Sequence, residues 1–354
     1  MITQEQFNVL TYLKSHIDSS PEEIITALHC SAEHIESVLL NCKLQGWLTA
    51  DYALTDAGLQ VLQPYKVSNA VIMAAGMSTR FAPLSYEKPK GLLVVKGEVL
   101  IERQIEQLLV AGITDITVVV GYMKEQFFYL EDKYGLSIVV NEDYYKYNNT
   151  STLMRVLDKL GNTYICSSDN YFTENVFEPY VYQGYYSAVY SSEPTNEYCL
   201  SVDAVGRITD VTVGGGPDTW YMLGHVYFSN EFCEQFVPLL KTQYENNSAV
   251  KEMLWEDLYM RHLDKLTLYI RKYDSRVIKE FDSLAELREF DERYINYSGS
   301  KILGNICSAL QCEEKDIVDI VSEKSVQEGY SFSFLCYGKK YIYSYPSGEL
   351  QLLL

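Results

Sequence analysis

"VIMAAGMSTRFAPLSYEKPKGLLVV", residues 71–95, decides the fold. The apolar run of "NAVIMAAG" reads as a buried strand. It opens into a loop of little side-chain bulk, Ala74-Ala75-Gly76-Met77-Ser78-Thr79. Such a loop lets backbone N–H groups come close to an anion. Arg80 and Lys90 follow on a segment that also holds Pro83 and Pro89. Two fixed cations beside that loop suit a triphosphate.

Downstream, strand and helix patterns alternate. "EVLIERQIEQLLVAGI" is an amphipathic helix through Leu100, Ile101, Ile105, Leu108 and Leu109, and "DITVVVGY" is the next strand. "MKEQFFYLEDKYG" predicts a helix, "LSIVVN" a strand, and "STLMRVLDKLG" a helix capped by Ser151. "TYICSSDN" predicts a strand that ends at Asp169. This order predicts an α/β core with a mostly parallel, Rossmann-like sheet over residues 67–293. Ligands then bind beyond the C-terminal strand ends. After about residue 185 the strands lengthen and alternate, which predicts an antiparallel extension.

Residues 1–66 read as a separate helical unit. Phe7, Leu10, Leu13 and Ile17 keep helical spacing, Ser20 with Pro21 starts a second helix, and Ser31 starts a third. A short hairpin and a last helix follow. Three helices and a β wing resemble a MarR-like winged helix-turn-helix. The charge argues against a DNA reader. Lys14, Lys43 and Lys66 face Glu5, Asp18, Glu22, Glu23, Glu33, Glu36, Asp51 and Asp56, whereas phosphate contacts need cations. Dimerisation, a homodimer included, or docking is the reading favoured over DNA.

The whole chain points the same way. Its net charge of −19 over 354 residues disfavours broad contact with nucleic acid or an anionic membrane. No apolar run approaches the roughly 18–20 residues of a membrane span. The start, "MITQEQFNVL", lacks the basic region of a signal peptide. The eight cysteines form no CxxC pair, so reduced thiols in a cytoplasm are expected. The five histidines have no ligand spacing and read as structural.

The opening stretch, with its Gly-x-Ser-Thr-Arg and later Lys-Pro-Lys, resembles the signature of nucleoside-triphosphate sugar-nucleotidylyltransferases. That likeness implies attack of an anionic phosphate on the α-phosphorus of a nucleotide, with loss of pyrophosphate. Ala74, Ala75, Gly76, Met77, Ser78 and Thr79 would line the nucleotide, with Arg80 on the β- and γ-phosphates. Lys90 would sit by the α-phosphate and its attacker. Magnesium would be the cofactor, held by Asp169 and by Glu256 or Asp257 of "MLWEDLYM", with Glu256 preferred.

The segments "YKYNNTSTL", "CSSDNYFTENVF", "YSAVYSSEPTNEYCL" and "LWEDLYMRHLDKLTLYI" look like those of bacterial CTP:phosphocholine cytidylyltransferases. This resemblance covers residues 68–292 and implies CTP and phosphocholine as substrates. A trimethylammonium is held by aromatic faces, each worth ~0.5–2 kcal/mol. The implied cage is Tyr190, Tyr198, Trp220 and Tyr221, with Glu197 beside the cation. Asn149 and Ser151 would meet the nucleotide. Phosphoethanolamine or an aminophosphonate would need carboxylates and fewer aromatic faces. A sugar-1-phosphate transferase and a DNA-binding regulator with a ligand-sensing domain are the alternatives. Residues 294–354, a small α+β tail with a hairpin turning at Gly338, resemble the start of the choline/ethanolamine kinase fold without its catalytic loop.

Overall fold

The computed structural model describes residues 2–323 and 329–353. The central unit holds β1 (Asn69–Ala74), a small hairpin of β2 (Val94–Val95) and β3 (Glu98–Val99), β4 (Ile116–Val120), β5 (Ser137–Val140), β6 (Thr163–Ser167) and β7 (Tyr171–Phe172). It continues with β8 (Tyr185–Ser191), β9 (Thr195–Val202), β10 (Ile208–Gly215), β11 (Thr219–Phe228), β12 (Tyr269–Tyr273) and β13 (Ile278–Lys279). The main sheet runs β10-β9-β11-β6-β1-β4-β5, with β8 joining β11 to β12. β6, β1, β4 and β5 are parallel, whereas β11 turns antiparallel to β6. The antiparallel extension is therefore present, except that β12 runs parallel to β8.

The central strands are mostly apolar because both faces are covered. Alternate residues feed two cores: Ala70, Ile72, Val118 and Val120 enter one, and Val71, Val119 and Ile165 the other. Met73 pairs with Ser167 in parallel register. The loops leaving β1 and β6 therefore emerge side by side at one end of the sheet.

The N-terminal unit has helices Gln4–Ser15, Pro21–Leu28, Ala32–Leu44 and Asp56–Leu62. Thr3 and Ser20 form capping boxes, and Ser31 caps the third helix. The wing is reduced to one bridge, Leu48 to Leu54. Phe7, Tyr65 and Tyr182 join this unit to the next, with ring centroids 5.3 to 5.5 Å apart.

One expected helix start moves. The helix Asn149–Met154 is capped by Asn148, and Ser151 is buried inside it. Ser151 Oγ donates to the Asn148 carbonyl, which draws it inward.

The C-terminal unit is a helix, Lys301–Leu310, and an antiparallel sheet of β14 (Ile317–Glu323), β15 (Tyr330–Cys336), β16 (Lys339–Tyr345) and β17 (Glu349–Leu353). Its hairpin turns at Tyr337 and Gly338, both left-handed with φ 48° and 72°, as a tight two-residue turn requires. β14 adds a further strand to that hairpin by pairing with β15.

Candidate active site

A cleft opens where β1 and β6 end. It is lined by Ala74, Ala75, Gly76, Ser78, Lys90, Asn149 and Asp169, together with Phe127, Tyr144 and Tyr147. Gly76, Met77 and Ser78 donate their amides to no carbonyl among the described residues, so those donors are free for an anion. Gly91 allows the Lys90 segment to press against the β6 loop. A Cβ there would lie 2.8 Å from Ser168 Cβ and Oγ. Buried Gln104 donates to the carbonyls of Ser167 and Asn170 at 2.9 and 2.8 Å, fixing the loop that carries Asp169.

Lys90 Nζ meets Asp169 Oδ2 at 2.8 Å and Asp282 Oδ1 at 3.8 Å. Asp169 Oδ1 is buried with no hydrogen-bond partner among the described residues. Arg80 stays outside, its side chain 75% exposed, and pairs with Asp282 at 2.9 Å. An exposed pair of this kind contributes only about 0–1 kcal/mol, so a phosphate can draw the guanidinium away.

Glu280 and Asp282, just past β13, were not singled out from the sequence. Spaced two apart after a strand, they alternate onto one side. That spacing is the signal that could have found them. Burial pushes the Glu280 carboxyl far above the carboxylate range, and Asp169 pushes it further, while Lys90 opposes both. Burial pulls the Lys90 ammonium down, but Asp169, Glu280 and Asp282 outweigh it and hold it above its ordinary value.

The two other expected metal ligands are engaged elsewhere. Glu256 accepts from Asn149 Nδ2 at 3.1 Å and from Tyr186 OH at 3.0 Å. Burial raises its carboxyl to about 7. Asp257 caps its own helix through Leu254 N and accepts from Tyr198 OH at 3.2 Å. Asn149 therefore lines the cleft with Glu256 behind it, whereas Ser151 does not line it. Its Oγ accepts from Asn141 instead.

The five residues expected around the acceptor cation do not come together. Tyr221 pairs with Cys199 and Val189, and Trp220 with Leu200 and Tyr190. By strand alternation, Glu197 and Tyr221 share one face, and Tyr190, Tyr198 and Trp220 share the other. Trp220 packs edge-on to Tyr190 at 5.5 Å, with Lys272 Nζ 4.7 Å from its ring. Glu197 and Tyr221 instead line a second pocket with Glu280, Asp282, Glu286 and Glu289. Burial and Asp282 raise the Glu197 carboxyl, against the pull of Arg80. The two pockets meet through the acids that flank Lys90.

Four carboxylates, Asp169, Glu197, Glu280 and Asp282, thus surround two cations. Among the described residues no three acidic, His or Cys side chains converge as a ready-made metal cage. One or two carboxylates completed by phosphate and water oxygens are what magnesium takes. The surplus negative charge and the unpaired Asp169 Oδ1 fit that donor set.

A MobA-like NTP transferase domain model matches residues 70–178, and a model described as wHTH-PRTase associated matches residues 7–77. The 2-aminoethylphosphonate cytidylyltransferase of Lancefieldella rimae is 37% identical over 233 residues, 64% of this chain and 94% of that protein. The choline-phosphate cytidylyltransferase of Streptococcus pneumoniae is 33% identical over 223 residues, 63% of this chain and 96% of that protein. The solved CTP:phosphocholine cytidylyltransferase from S. pneumoniae superposes with a TM-score of 0.61 at 33% identity, covering 64% of this chain and 98% of that one. A putative glucose-1-phosphate thymidylyltransferase from Bacillus anthracis, 17% identical with a TM-score of 0.51, shares the fold over 65% of this chain and 97% of its own.

Proposed function

The chain belongs to the family of 2-aminoethylphosphonate and choline-phosphate cytidylyltransferases, and on that premise we propose that it joins the cytidylyl group of CTP to a small amine-bearing phosphonate, 2-aminoethylphosphonate before phosphocholine. An acceptor oxygen attacks the α-phosphorus, the bond from that phosphorus to the bridging oxygen breaks, and pyrophosphate leaves. The amides of residues 76–78 hold the triphosphate. Lys90 neutralises charge where the two anions meet, and Arg80 leaves Asp282 for the departing phosphates. Tyr144, Tyr147 and Phe127 offer the base an aromatic wall. Asp169 and Asp282 would hold magnesium, with Glu280 behind them, in place of the Glu256 or Asp257 suggested by the sequence. Magnesium would screen the phosphate charges from one another.

One observation carries the choice of acceptor. The pocket beside Lys90 is lined by Glu197, Glu280, Asp282, Glu286 and Glu289, which outnumber its aromatic residues Tyr221, Phe281 and Phe290, while Tyr190, Tyr198 and Trp220 lie on the other face of the sheet. A primary ammonium is recognised by carboxylates through three N–H donors, whereas a trimethylammonium has none to give. Phosphocholine is the second reading, supported by the TM-score of 0.61 to the solved phosphocholine enzyme. The test is pyrophosphate release from CTP and magnesium with each acceptor. Under the present reading, 2-aminoethylphosphonate gives the higher kcat/KM. Preference for phosphocholine would reverse the order of the two readings, and turnover only with sugar phosphates would reject both. For the winged-helix unit we propose docking or dimerisation rather than DNA binding.

A further inference from the structure

The segment between Arg80 and Lys90 is not supported by the transferase core alone. Phe81, Ala82, Leu84 and Tyr86 are buried. They share one apolar core with Leu303, Ile306, Phe332 and Tyr343 of the C-terminal unit. The Tyr86 ring lies 5.2 Å from that of Tyr330 and 5.9 Å from that of Tyr345. Its hydroxyl donates to the Ser331 carbonyl at 3.1 Å. Glu87, the next residue, crosses the same boundary. One of its oxygens accepts from Ser300 Oγ, and the other accepts from Lys301 N at 3.0 Å. Glu87 thereby satisfies a free amide at the start of the helix Lys301–Leu310, where negative charge is favoured.

The other flank is tied in as well. Phe281, Leu284 and Leu287 enter this core, so the stretch carrying Glu280 and Asp282 leans on the same support. Neither Tyr86 nor Glu87 lines the nucleotide cleft. The matched relatives are covered over 94% and 96% of their own length by under two thirds of this chain, so most of what flanks the transferase here is additional to them.

We propose that the C-terminal unit is a working part of the active site, with Tyr86 and Glu87 as positioning residues that aim Arg80 and Lys90. The proposal rests on the reading that Arg80 and Lys90 act on the triphosphate. The segment consists of short 3-10 turns, Thr79–Phe81, Leu84–Tyr86 and Lys90–Leu92, whose backbone hydrogen bonds all close within the turns themselves. What holds its orientation is the surface it rests on. A displacement of about 1 Å in a charged group can cost up to roughly 100-fold in rate.

The full-length chain carrying Glu87→Ala, Ser300→Ala or Ser300→Thr tests this by two readouts, amide hydrogen exchange over residues 79–92 and CTP turnover with magnesium. Tyr337→Phe is the control. It removes the hydrogen bond to Asp316 within the same unit without touching the segment. Glu87→Ala and Ser300→Ala should speed exchange over 79–92 about tenfold and lower kcat about tenfold, with the KM for CTP changing less. Ser300→Thr should restore both, and Tyr337→Phe should change neither. Wild-type exchange and kcat in Glu87→Ala would overturn the proposal. So would losses that track the melting temperature in all four variants. Absence of turnover in the wild-type chain would instead refute the catalytic reading, and the exchange arm would still decide the anchoring.

Discussion

Lys90 Nζ lies 2.8 Å from Asp169 Oδ2, with side-chain exposures of 5% and 19%. The nearly sealed ammonium is what allows Asp169, Glu280 and Asp282 to crowd one end of the sheet. Removing one partner of a buried pair leaves a charge that nothing compensates.

Lys90→Met should therefore destabilise the chain by about 3–5 kcal/mol at pH 8. The loss should shrink at pH 5, where the stranded carboxylates can take up protons. Urea unfolding at both pH values measures it. Equal losses at the two would show that Lys90 does not hold the acid cluster together.

Asp169→Asn should lower kcat by about 10²–10³-fold while the chain still unfolds cooperatively, because Glu280 and Asp282 remain to face Lys90. Titrating magnesium should show half-saturation at a higher concentration in the variant, because a carboxylate ligand is lost. Full activity in Asp169→Asn would end its assignment as a ligand.

Glu256 makes a pH prediction with a definite sign. Burial raises its folded carboxyl from 4.5 to about 7. The folded chain thus keeps a proton that the unfolded chain has released, and stability falls as pH rises from about 4.5 to about 7. Glu256→Gln removes that dependence and should be more stable than the parent at pH 8, by on the order of 3 kcal/mol at most. A parallel stability profile for the two proteins between pH 4.5 and 8 would contradict it.

The acceptor pocket is probed by two substitutions on opposite faces of one sheet. Glu197→Gln should raise the KM for 2-aminoethylphosphonate about tenfold, the scale of one charge-assisted hydrogen bond. Trp220→Ala should leave it within about twofold, since surface changes away from a site are small. A strong effect of Trp220→Ala on that KM would restore the aromatic face to the acceptor.

The parts legible in the sequence were those carried by local chemistry. The apolar run of β1, the loop at Gly76, the Arg80 and Lys90 pair and the caps at Ser20 and Ser31 depend on neighbours along the chain. So does Asp169 just past its strand. What depended on register was not legible. Tyr190, Glu197, Tyr198, Trp220 and Tyr221 lie on neighbouring strands, and a one-residue difference in pairing decides which face each occupies. Glu256 and Asp257 looked like free acids, and only the fold shows Asn149, Tyr186 and the helix start occupying them. Glu280 and Asp282 were passed over because the buried lysine opposite them lies far away in sequence.

The apolar core shared by Tyr86, Leu303 and Phe332 also bears on where this molecule can be divided. Sequence places a seam near residue 293, yet the greasy interior runs straight across it. A fragment ending at that seam would present Phe81, Leu84 and Tyr86 to water and would be expected to aggregate. What looks like an appendage on paper is, in folding terms, half of a shared interior.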